Sequence, residues 1–106
     1  MWRVLSAGLF VCLLAPLAAK ADQVTAVQAV RGQPKVIDAL VDNGGNMFVS
    51  VKNDRTAWGQ FATHLCNVVR PHQARIFRIQ VVDVTTVAFG KPPSAWHKLA
   101  EARCGS

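Results

Sequence analysis

From Asp22 onward the apolar positions of the chain fall into periodic runs, while the stretch before it does not. Val24, Val27 and Val30 recur at three-residue steps between Asp22 and Arg31. This spacing predicts a short helix, with Asp22 as a cap and Gly32 and Pro34 as stop signals. The runs Val36 to Val41 and Met47 to Val51 are β-prone and are separated by Asp42, Asn43, Gly44, Gly45 and Asn46. They predict a hairpin whose Asn-Gly-Gly supplies the positive-φ positions of a tight reversal. The same glycines do not stand between a strand and a helix, where a phosphate-binding loop needs them.

A second helix is the strongest pattern in the chain. Trp58, Phe61, Ala62, Leu65, Val68 and Val69 fall on one stripe, with Asp54 as a candidate cap and Pro71 ending the helix after Arg70. The two aromatic residues on this stripe are read as core rather than as pocket lining. His64 falls off the stripe and is expected to face solvent, and Cys66 lies beside the stripe. Between Arg75 and Val84 the period changes to two, with Phe77, Ile79 and Val81 on one face and Arg78 and Gln80 on the outer face or edge of a strand. A surface loop follows through Phe89, Gly90, Lys91, Pro92 and Pro93. The last stretch, Trp96 to Cys104, suits either a strand or a short helix. A strand is expected, because running back across the sheet it would carry Cys104 to the central helix. The fold class that results is α+β, a small single domain of order α-β-β-α-β with a final β-strand, its helices packed on an antiparallel sheet.

The opening segment changes the picture of where the protein resides. Val4 to Ala18 carries no charge, follows Arg3, contains Pro16 near its end and leads into Ala19, Lys20 and Ala21. This is the profile of a signal peptide over residues 1–21, cleaved before Asp22, with residues 22–106 as the single mature domain. A membrane anchor needs about 20 uninterrupted apolar residues, more than this run has. The mature protein is therefore expected to be periplasmic or secreted, with no stable membrane anchor after cleavage.

Of the three cysteines, Cys12 leaves with this segment, so Cys66 and Cys104 remain. An even count in an exported chain reads as a disulfide, and two cysteines allow one pairing. No CxxC or HxxxH spacing points to a metal, and no metal or cofactor is expected.

Charge narrows the possible partners. Loss of Arg3 and Lys20 takes the formal net charge from +6 to +4. Arg70, His72, Arg75 and Arg78 form the densest positive stretch, a candidate surface for an anionic or protein partner in the periplasm. Nucleic acid is not expected as a partner, since no Lys/Arg block or RNA-binding aromatic motif occurs. The six acidic residues are spread singly and there is no nucleophile elbow, so no catalytic residue is assigned. The expected function is a non-enzymatic binding or inhibitor-type module with a basic surface. The alternative is a small periplasmic hydrolase or thiol enzyme using Cys66 with His64, His72 or His97 as base, which requires a free thiol.

The runs FVSVKNDRTAWGQFATHLC (Phe48 to Cys66), RIQVVDV (Arg78 to Val84) and WHKLAEARC (Trp96 to Cys104) resemble small exported proteobacterial proteins of unknown function with two cysteines in the mature chain. In those proteins a strand and a polar turn lead into a cysteine-bearing helix, and a second cysteine closes the chain. The resemblance implies export and the Cys66 to Cys104 pairing. It implies no activity, substrate or catalytic residue.

Overall fold

The computed structural model describes residues 22–87 and 90–105; the expected signal peptide, residues 1–21, lies outside them. Helix α1 covers residues 22–31 and ends at Gly32, as the stop signals predict. Asp22 is already helical, so its side chain does not occupy the cap position ahead of the first turn. Strands β1 (Val36–Val41) and β2 (Asn46–Val51) form the expected antiparallel hairpin. Its turn is closed by the Asp42 carboxylate, which accepts from the backbone N–H groups of Gly44 (2.8 Å) and Asn46 (2.9 Å). Of the two glycines only Gly45 has positive φ, at 82°.

Helix α2 (Trp58–Val69) starts later than the Asp54 cap predicts. Asp54 instead accepts from the N–H of Thr56 at 2.8 Å, forming an Asx turn, and Ala57 stands at the cap without a side-chain hydrogen bond. The predicted apolar stripe faces inward: Trp58, Ala62, Leu65 and Val69 are buried, with Phe61 and Val68 packed partly against them. A 3₁₀ turn, Arg70–His72, follows and contains Pro71. Strand β3 (Arg78–Asp83), two further 3₁₀ turns (Val84–Thr86 and Pro93–Ala95) and strand β4 (Lys98–Arg103) complete the chain. The final element is thus a strand, and Trp96 precedes it.

The sheet order is β1-β2-β3-β4. The outer pairs are antiparallel, but β2 and β3 are parallel, so the sheet is mixed rather than antiparallel throughout. The reason lies in the connection. A helix that runs back along the sheet returns the chain to the end where β2 began, and the next strand then repeats β2's direction. It also makes β3 an interior strand, so Arg78 and Gln80 project from the middle of a sheet and not from its edge.

Side-chain alternation divides the sheet into two faces. Met47, Val49 and Val51 of β2 with Ile79 and Val81 of β3 are fully buried and form one core with Ala26 and Val30 of α1 and Leu65 of α2. Both helices therefore cover this face. Arg31 ties α1 to β1 through Asp38 (2.8 Å) and the Ala39 carbonyl (3.1 Å). The opposite face carries Phe48, Gln80 and Glu101 in register, and Trp96 meets Phe48 edge to face at 5.9 Å.

Cys66 and Cys104 are joined by a disulfide with Cα atoms 5.0 Å apart, which links α2 to the chain just beyond β4. Among the described residues no helix is long and apolar enough to cross a membrane.

Candidate anion-binding site

The end of the sheet at which β2 and β3 begin and β4 finishes is organised around Phe77. Its backbone N–H donates to the Gly45 carbonyl at 2.9 Å, and its carbonyl accepts from the N–H of Cys104 at 2.8 Å. The residue is thereby held between the hairpin turn and the disulfide. The alternation in the sequence puts Phe77 on the buried face with Ile79 and Val81, yet it is 56% exposed. It precedes the first residue of β3, where the end of α2 leaves it partly uncovered, and its ring lies over Gly45. A Cβ on Gly45 would come within 2.5 Å of the Phe77 ring, so the close approach depends on the glycine.

Phe77 separates two adjoining clefts. The larger, about 470 Å³, is lined by Gly44, Asn46, Phe77, Arg78, Arg103 and Gly105. Its polar side chains form one row across three strands, because Asn46 pairs with Arg78 and Arg78 with Arg103. Directly paired residues on neighbouring strands share a face, so both arginines and the Asn46 amide lie on the side away from the helices. The second cleft, about 190 Å³, lies on the helix side and includes Arg70, the Cys66 to Cys104 disulfide, Phe77 and Gly105.

One carboxylate tempers this charge. Glu101, in the next row, reaches Arg78 Nε at 3.6 Å and Lys98 Nζ at 2.9 Å. The Lys98 hydrogen bond first, then Lys98, Arg78 and Arg103 by charge, hold the Glu101 carboxyl below the ordinary carboxylate range. Among the described residues, Arg70, Arg75 and Arg103 have no carboxylate within ion-pair distance. Guanidinium groups so placed are free to donate paired N–H groups to a carboxylate or phosphate.

The four residues of the expected basic surface are therefore divided. Arg70 and Arg78 reach the same end of the sheet, on opposite sides of Phe77. Arg75 is exposed in the approach to β3. His72 turns away, its Nδ1 3.0 Å from Thr25 Oγ1 of α1. Arg103, Asn46 and Phe77 complete the clefts from outside the dense stretch that holds those four residues. Only strand register brings them to Arg78, and no local feature of the sequence encodes that register.

The residues of the thiol alternative are also located. Cys66 is bonded to Cys104, so it has no free thiol in this state. His64, exposed as expected, has Nε2 3.0 Å from Gln33 Oε1, and His97 lies next to β4 at the other end of that strand. The two histidines on the α2 side thus both contact α1 or the turn after it. In comparison with known proteins, the chain matches no family model, no curated protein and no solved structure.

Proposed function

We propose that this chain is exported, loses residues 1–21, and acts in the periplasm or outside the cell as a non-enzymatic binding or inhibitor-type module for an anionic partner. The observation that carries the reading is the convergence of Arg70, Arg78 and Arg103 on Phe77, at a sheet end whose three chain segments are tied by Gly45, Phe77 and the disulfide. A rigid frame of this kind lowers the entropy lost when its side chains engage a ligand. Export is supported by the apolar leader in the sequence and by the disulfide, a bond that persists in oxidising compartments.

The test is retention on a sulfated polysaccharide matrix over a salt gradient, using two triple variants with the same change in net charge. Arg70→Glu/Arg75→Glu/Arg78→Glu should elute at much lower salt than the parent. Lys52→Glu/Arg55→Glu/Lys91→Glu should lose far less. Equal losses would mean that net charge alone drives retention, and the localised surface would be wrong. For export, the N-terminal residue of the exported protein should be Asp22; a Met1 start in a membrane fraction would overturn that part.

A further inference from the structure

We infer that the larger cleft recognises a carboxylate borne next to an apolar or aromatic group, with Arg78 and Arg103 holding the carboxylate and Phe77 the apolar group. The inference rests on the anion-binding reading above and names the chemical class that the site selects. Arg78 and Arg103 are register partners on adjacent strands, so their side chains leave the sheet side by side from backbone fixed by the β3–β4 ladder. Asn46, in the same row on β2, adds an amide that can donate or accept, although its Nδ2 already bonds Asp42 at 3.0 Å. On Arg78, Glu101 faces Nε, which leaves the terminal nitrogens for a ligand.

The neighbourhood of the row favours a carboxylate over a phosphate. Arg103 has no carboxylate within ion-pair distance among the described residues, and Arg78 shares Glu101 with Lys98, which lies closer to it, so both guanidinium groups can face one ligand carboxylate. The Glu101 carboxylate stands in the adjacent row, and the second charge of a phosphate dianion would be brought toward it. The apolar requirement comes from Phe77. A phenyl ring 56% exposed, with its backbone pinned by two hydrogen bonds at the mouth of a cationic cleft, offers contact area whose position is already paid for in entropy.

The experiment is an amide NMR titration of the disulfide-bonded protein with phenylacetate and with acetyl-Ala-Ala-Phe, each beside its neutral amide, and with inorganic phosphate. Saturable shifts at Gly45, Phe77, Arg78 and Cys104 are expected with the acids and not with the amides. The tighter of the two acids identifies the source as a free aromatic acid or a polypeptide C-terminus. Arg103→Gln should weaken binding of that acid by about tenfold or more, the scale of a charge-assisted hydrogen bond, while Lys91→Gln leaves it unchanged. Unshifted resonances elsewhere in the Arg103→Gln spectrum establish that the sheet is intact. Acids and amides acting alike, phosphate binding more tightly than either acid, or no response at all would overturn the inference. If any of these occurs while retention on the sulfated matrix keeps its dependence on Arg70, Arg75 and Arg78, only the carboxylate assignment falls.

Discussion

Replacing Gly45 with alanine should destabilise the protein and disturb the clefts together, whereas the same change one residue earlier should do neither. Gly45 has φ of +82°, and an alanine held in the left-handed region costs about 1–2 kcal/mol. The added Cβ would also stand 2.5 Å from Phe77 Cδ2 and 2.7 Å from the Arg75 carbonyl oxygen. The ring can swing away, but the carbonyl is backbone and cannot. Relief there must shift the segment leading into β3, which holds the Phe77 N–H on the Gly45 carbonyl, a hydrogen bond worth about 1 kcal/mol net. Allowing for the smaller entropy of the unfolded alanine chain, the net loss should be about 2–4 kcal/mol.

At Gly44 the built Cβ meets only side-chain ends of Asn46 and Asp42, both at 3.4 Å, and φ is not positive. Gly44→Ala should therefore lie between no change and a gain of about 1 kcal/mol. Urea and thermal unfolding followed by tryptophan fluorescence would measure both variants. Gly45→Ala should melt about 10 °C or more below the parent, given about 4–8 °C per kcal/mol in a domain of this size. In a Phe77→Ala background the penalty should shrink but persist, since the Arg75 carbonyl remains. A Gly45→Ala protein that melts within about 3 °C of the parent, or no lower than Gly44→Ala, would refute the account of this turn.

Other perturbations probe the rest of the framework. Reducing the Cys66 to Cys104 disulfide, or replacing both cysteines with serine, releases a constraint over a separation of 38 residues. It should cost about 4 kcal/mol in the chain-entropy model, read as a melting temperature at least about 15 °C lower; a drop under about 2 °C would contradict a structural role. Leu65→Ala should cost about 2–5 kcal/mol in urea unfolding because Leu65 is wholly buried, while His64→Ala, which loses one exposed hydrogen bond to Gln33, should cost no more than about 0.5 kcal/mol. The Asp42 carboxyl is lowered chiefly by the backbone N–H of Asn46, and the Asp83 carboxyl chiefly by the Thr85 hydroxyl. Groups with lowered folded pKa values stabilise the fold above the unfolded carboxylate value of about 4 and lose that contribution as the pH falls further. The contribution of these carboxylates should thus be constant from pH 7 to about 5 and be lost as the pH falls below about 4, with a smaller acid-induced loss of stability in Asp42→Asn.

Periodicity along the chain was enough to determine the local elements. The α2 stripe from Trp58 to Val69, the hairpin across residues 42–45 and the strand around Ile79 and Val81 each depend on neighbours within one or two turns or pleats, which the sequence carries directly. The crosslink was legible on the expectation that Cys12 leaves with the leader, since the two remaining cysteines allow one pairing.

What the sequence did not carry were relations between segments. The parallel β2–β3 pair follows from the path of α2 over the sheet, and the exposure of Phe77 from where the helices stop covering it. Asp54, a plausible cap by residue type, instead closes an Asx turn, because short polar side chains fit both roles and the backbone path selects between them. The candidate site belongs to the same class. Arg70 and Arg78 lie in one basic stretch of sequence, yet the cleft pairs Arg78 with Arg103 and Asn46 and leaves His72 facing Thr25 of α1. Hydrogen-bond register between distant strands brings those side chains together, and that register is decided only when the helices, the hairpin and the disulfide pack against one another.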